Sequence, residues 1–354
     1  MKLKLLLGLF ITAITYAQIP AYYQSIDFSQ TGPALKSQLS TLIINTHTTE
    51  LVYTSGSSGL LDTWTVLKQS DLDLDNTGNV LLIYGWNDSS TNVTEHHSRD
   101  VNESCHTSSC SGLWVREHVF PKSLGTPNLE NEFAGADAHN LRAIDSQRNN
   151  SRGNKVFGAG TASVPSYSIN TTSWYPGDEW RGDVARIIMY MYLRYPTQCS
   201  PNSVTTSDSG IVPPPDMPEL FLEWNRLDPP SAFEIQRNNV IAANQGNRNP
   251  FIDNPYLATL IWSGEAANDT WNMLSVDYST LENIYLYPTA TKDYVYINNN
   301  NYDNLFITVF NLLGQKVEVN ATATSLDFTS LSQGVYIIKL QADNQTKTVK
   351  VYKN

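Results

Sequence analysis

The side chains able to do chemistry concentrate between residues 116 and 154. Arg116-Glu117-His118-Val119-Phe120-Pro121-Lys122 is followed by Asp137-Ala138-His139-Asn140-Leu141-Arg142. Arg148-Asn149-Asn150-Ser151-Arg152-Gly153-Asn154 comes next. A neutral imidazole titrates in the range that lets it take a proton from water. A carboxylate and an amide oxygen suit a hard divalent cation that keeps water and phosphate in the rest of its shell. Such a cation is a Lewis acid for phosphate and for a leaving oxygen. Those are the needs of phosphodiester hydrolysis. If residues 148–154 are helical, Asn149 and Arg152 share a face at i, i+3, an amide beside a guanidinium. On a strand, Glu117 and His118 point to opposite faces, and Pro121 ends that strand early. Each run alone reads as ordinary: an exposed dipeptide, a local hydrogen bond, an asparagine turn. Their ordered combination points to chemistry.

The elements that must hold these groups are legible in outline. Residues 35–42 and 59–67 have helix-like apolar spacing. Val184, Ile187, Ile188 and Met191 predict a core helix over 184–195, beneath the polar runs. Residues 220–243 read as further helix, broken at Pro229-Pro230. Near residue 283 the texture changes to short β-type runs at 294–297, 305–310, 334–340 and 346–352, with turn residues between them. Alternating strands at this spacing predict a small all-β sandwich. The expected fold class is α+β followed by all-β, with domains at 18–278 and 283–354.

Bulk properties narrow the class. The chain has 354 residues, 41% hydrophobic and 16% charged, which suits a buried core. Its net charge of −11 repels a polyanion, so a nucleic-acid substrate needs cations gathered at the site. Arg142, Arg148, Arg152 and Lys155 lie near the polar runs, and Arg181, Arg186, Arg237 and Arg248 follow as candidates for the edges. Residues 1–17 combine Lys2 and Lys4, an apolar run and Thr15-Tyr16-Ala17, the pattern of a cleaved export signal. Losing both lysines takes the net charge from −11 to −13. No apolar run is long enough to span a bilayer, so no integral membrane segment is expected after signal removal. An exported chain can keep disulfides. Cys105 and Cys110 enclose a short loop and can pair, leaving Cys199 free or displacing one of them; connectivity is not written in the sequence.

In their order, the polar runs resemble the endonuclease I family of secreted bacterial nucleases, members of the ββα-metal (His-Me finger) superfamily. The matching blocks are residues 116–123, 137–143, 149–157 and 181–186, then Trp224-Asn225 and 237–239 leading into 245–253. The resemblance implies a ββα-metal nuclease domain that hydrolyses DNA, sometimes RNA, with little sequence specificity, leaving 5′-phosphate and 3′-hydroxyl ends. It implies His118 as general base, with Glu117 and Asn149 as ligands of Mg2+, or of Ca2+ or Mn2+ in its place. Asn150 stands behind Asn149, because Arg148 occupies a position that is apolar in relatives. His139, Asn140 and Asn154 are implied as framework groups. Some relatives carry an arginine in an insertion after the histidine; here none lies between 119 and 137. The anion-stabilising role then falls to Arg152, Arg116 or Lys122, with Arg142 a further substrate contact.

The C-terminal segment resembles the type A sorting domain of the Bacteroidetes type IX secretion system. It does so through Tyr287-Pro288-Thr289-Ala290-Thr291, residues 311–317 and 331–340, and the Lys/Val alternation of 347–352. That implies the type IX machinery as a partner and a place outside the cell, released or surface-attached. A carbohydrate-binding β module is the alternative. Two other readings compete for the whole chain. Glu95-His96-His97 with Cys105, His106 and Cys110 could make a zinc site, or the chain could bind nucleic acid or a surface without cleaving.

Overall fold

The computed structural model describes residues 19–55, 60–107, 109–161, 165–206, 211–212, 216–273, 284–299, 305–322, 324–342 and 345–354. The expected export signal at 1–17 and the expected inter-domain stretch at 278–283 lie outside these residues. The chain divides into two compact units, Met1–Asn272 and Met273–Asn354. Among the described residues no helix is long and apolar enough to cross a membrane.

The first unit mixes helices with short sheets. Helix α1 (Gly32–Thr46) buries Leu35, Leu39 and Ile43, four residues apart on one face. Helix α2 (Thr63–Ser70) is capped by Asp62, whose carboxylate accepts from the Thr65 amide. Strand β1 (Asn79–Leu81) pairs antiparallel with β2 (Ser98–Asp100). Strand β3 (Trp114–His118) pairs antiparallel with β4 (Leu141–Asp145), and this register sets Glu117 opposite Arg142 and His118 opposite Leu141. Helix α3 (Ser146–Arg152) follows at once, because Asp145 ends the strand and caps the helix, accepting from the amides of Gln147 and Arg148. It stops at Gly153, whose φ of 55° favours glycine.

Helix α4 (Arg181–Arg194) is buried along nearly its whole length, from Gly182 to Leu193. It lies in the centre, packed against α1, α5 (Glu219–Leu227) and α7 (Pro250–Asp253), and its charged Asp183 and Arg186 are buried with it. The break at Pro229-Pro230 separates α5 from α6 (Ala232–Gln245), which opens with a reciprocal cap between Ser231 and Glu234. Helix α8 (Tyr256–Trp262) completes the unit.

The polar residues of this core form an alternating chain of charge. Arg186 of α4 meets the Glu234 carboxylate of α6 through Nε at 2.8 Å and Nη2 at 2.6 Å. It also lies 3.9 Å from Asp183. Asp183 binds Arg142 of β4 at 2.7 Å, Arg142 lies 3.4 Å from Asp71, and Asp71 lies 3.4 Å from Arg237 of α6. Asp71 also accepts from the Ala143 amide at 2.8 Å. Burial and the Glu234 carboxylate push Asp183 well above the usual carboxylate range, against the pull of Arg142 and Arg186. This chain joins α2, α4, α6 and β4.

The second unit is two facing sheets. One orders Ile284–Tyr287, Tyr294–Asn299, Ser325–Asp327 and Asn320–Ala321. The other orders Ala290–Thr291, Gln345–Lys353, Gly334–Ala342, Phe306–Asn311 and Lys316–Val317. Ile284, Val295, Ile297 and Leu326 from the first sheet share one apolar core with Val309, Ile338, Leu340 and Val351 from the second.

Arg186→Met removes one partner and leaves Glu234 and Asp183 buried without it. The expected loss is about 3–5 kcal/mol, read by denaturant unfolding followed through tryptophan fluorescence. All 8 tryptophans lie in the first unit, so the signal isolates it. A loss below about 1 kcal/mol would show that the charge chain does not hold the core.

Candidate active site

The hairpin of β3 and β4 presents two different faces. Glu117 looks toward Arg152 of α3, while Arg116 and His118 look toward Tyr53. His118 is the last residue of β3, and the two faces meet where the pairing ends.

On the helix side, Glu117 is buried. Its Oε1 lies 3.2 Å from Arg152 Nε and accepts from the Tyr84 hydroxyl at 3.4 Å. Burial pushes its pKa up to about 7, with the Arg152 charge and the Tyr84 hydroxyl pulling the other way. Arg152 donates its other N–H groups to Gly153 O at 2.8 Å and Val119 O at 3.1 Å. Asn149 sits one turn earlier on the same face of α3, half-exposed, and its amide makes no side-chain hydrogen bond among the described residues. A carboxylate and a free amide oxygen offered from the same side of the hairpin are hard oxygen donors, the chemistry that suits Mg2+ or Ca2+. Asn150, the alternative ligand, is exposed.

On the other side, His118 Nε2 lies 2.9 Å from Gly135 O. A carbonyl only accepts, so Nε2 carries the proton and Nδ1 keeps the lone pair. Nδ1 has no hydrogen-bond partner among the described residues. Burial lowers the His118 pKa to about 4; the Gly135 bond opposes this, and the charges of Lys122 and Arg116 add to it. The ring stacks on Tyr53 at 5.6 Å. Position 135 must be glycine, because a Cβ there would come within 1.7 Å of Glu130 O.

The other expected site residues frame the hairpin. Asn140 clamps Phe120 from both sides, accepting from its amide at 2.8 Å and donating to its carbonyl at 3.2 Å. That fixes the chain just beyond His118. His139 is buried against the Tyr190 ring and reaches Asn247 O at 3.3 Å. Burial also takes its pKa to about 4. Asn154 donates to Ser123 Oγ at 3.2 Å, tying the end of α3 to the segment after His118. Lys122 stays near the surface, bound to Asn131 Oδ1 at 2.6 Å.

The arginines differ most from expectation. Of the arginines expected near the polar runs or at the edges of the site, Arg142, Arg152, Arg186 and Arg237 are all buried and paired with carboxylates. Arg142 serves the charge chain rather than substrate, and Arg152 holds Glu117 and the end of β3 rather than facing a phosphate. Of the three candidates for the anion, Arg116 and Lys122 remain partly open, on the His118 side. Cys105 and Cys110 form a disulfide and Cys199 is free and buried. The cysteines of the zinc reading are therefore occupied. Among the described residues no group of three or more His, Cys, Asp or Glu could hold a metal. Tyr53, Tyr84 and Gly135 were not anticipated. They come from distant segments and carry no periodic signal.

Comparison with known proteins places the chain in a family. Residues 31–256 match the family described as Endonuclease I, and residues 285–354 match the Secretion system C-terminal sorting domain. The chain is 37% identical over 264 residues to an Extracellular ribonuclease of Bacillus subtilis (strain 168), covering 73% of this chain and 83% of that one. It is 35% identical over 253 residues to an Extracellular ribonuclease of Bacillus amyloliquefaciens, covering 70% and 79%. The chain therefore belongs to the endonuclease I family, as a secreted nuclease that ends in a sorting domain.

Proposed function

We propose that this nuclease is a metal-dependent endonuclease of the ββα-metal type, acting on RNA and DNA with little sequence specificity and leaving 5′-phosphate and 3′-hydroxyl ends. The observation that carries the reading is the β3–β4–α3 hairpin, with Glu117 and Asn149 on its helix side and a neutral His118 at the end of β3. The names of the two ribonuclease relatives support RNA as a substrate. The sorting domain supports export by the type IX machinery.

The scissile phosphate lies across the end of β3, where the two faces meet. His118 Nδ1 accepts the proton of the attacking water, while Gly135 O holds the ring in the tautomer that leaves Nδ1 free. Glu117 and Asn149 would hold the divalent cation, and Arg152 pairs with the Glu117 carboxylate on the side toward α3. When bound, that cation supplies Lewis-acid stabilisation of the phosphorane charge and of the leaving O3′. Arg116 and Lys122 stand on the His118 side as the cations that meet the phosphate.

Digestion of plasmid DNA and single-stranded RNA tests this, with magnesium or with EDTA. Cleavage is expected with magnesium and none with EDTA, and His118→Ala is expected to lower it by about 10²- to 10⁴-fold. Wild-type rates in His118→Ala would remove the base, and binding without cleavage in magnesium would favour the non-catalytic reading. Glu117→Gln keeps the shape and removes the charge. The magnesium concentration giving half-maximal rate is expected to rise at least tenfold; an unchanged value would take Glu117 out of the ligand set.

A further inference from the structure

A continuous stack leads away from the proposed base along the opposite side of the hairpin from α3. The His118 ring lies against Tyr53. The Arg116 guanidinium sits 3.6 Å from the Tyr53 ring and 4.1 Å from the Trp64 ring. On its other face Trp64 carries His106 at 4.0 Å, the two rings 11° from parallel. Trp64 is buried, so the stack is anchored in the core. His106 is exposed at its outer end, on the short loop closed by the Cys105–Cys110 disulfide. Tyr53, Trp64, His106 and Arg116 line an open cleft of about 210 Å³.

The guanidinium is not fully engaged. It donates to Tyr53 O, to Thr63 Oγ1 at 2.7 Å and to Thr54 Oγ1 at 3.0 Å. Of the five N–H groups of an arginine, the remainder have no partner among the described residues. This half-buried cation therefore sits in a cleft that ends on an exposed aromatic face. A single-stranded nucleotide presents the same pair of features, a phosphate and an uncovered base. In a duplex the faces of each base are covered by its neighbours, so stacking on a protein ring requires an unpaired base.

We propose that this cleft holds an unpaired nucleotide at the cleaved linkage, its base stacked on His106 while Arg116 meets the phosphate that it shares with that linkage. The inference rests on the nuclease reading above and adds a preference for single-stranded over duplex substrate. The rigid stack holds the ring ready and faces it outward, so little ordering is needed on binding.

Fluorescence anisotropy with the full chain in EDTA tests it without any chemistry, using a labelled 12-nucleotide single strand and the matching duplex. His106→Ala is expected to weaken single-strand binding about tenfold and to leave duplex binding unchanged. His106→Phe is expected to restore it, since a flat ring suffices. A strand lacking its bases is expected to bind both forms alike. Equal loss for single strand and duplex, failure of the phenylalanine to restore binding, or indifference to His106 would each overturn the subsite. Indifference to His106 with cleavage intact would leave the nuclease reading standing. Loss of the His118 dependence with a His106 effect intact would do the reverse.

Discussion

Three arginines and three carboxylates, Arg142, Arg186, Arg237, Asp71, Asp183 and Glu234, are buried together in alternation inside the first unit. Removing so many charges from water carries a large desolvation penalty, and only close pairing offsets it. The arrangement is therefore unforgiving. Every member must be present, and each fixes the element that bears it. Arg142 fixes β4 against α4, and Asp71 fixes the same strand through the Ala143 amide. Strand β4 then sets the register of β3, and β3 sets Glu117 and His118 on opposite faces of one hairpin. The site inherits its geometry from this ionic core, with Glu117 and Arg152 as a second buried pair at its edge.

Local pattern made much of this legible. Leu35, Leu39 and Ile43 announce α1, and Val184, Ile187, Ile188 and Met191 announce α4. Pro229-Pro230 marks the gap between α5 and α6. Asn149 and Arg152 share a helical face because they lie at i, i+3 and residues 146–152 are helical. The four longest strands of the second unit fall at the alternating runs, each within a residue or two of its expected bounds, while its shorter strands carry no such run.

The fate of the arginines was not legible. An arginine looks the same in sequence whether it faces solvent or a carboxylate that lies far along the chain. Arg186 meets Glu234 across 48 positions, and Arg142 meets Asp183 across 41. For the same reason the stack of Tyr53, Arg116, Trp64 and His106 could not be foreseen. It joins residues of four segments that only tertiary packing brings together. The carbonyl that sets the His118 tautomer belongs to a glycine with no side chain to signal its role. The consequence for charge is direct. With the buried arginines neutralised by their partners, a molecule of net charge −11 has few cations left at the site to attract a polyanion.

The most direct measurement is the tautomer of His118, read from the ring 15N chemical shifts of the labelled protein near pH 7, with a His118→Ala sample to assign the signals. A neutral ring protonated on Nε2, with an unprotonated Nδ1, is the result that the Gly135 contact and the base assignment require. A ring protonated on Nδ1, or a charged imidazolium at that pH, would contradict the account, because no lone pair would then be free at Nδ1 to take a proton from water.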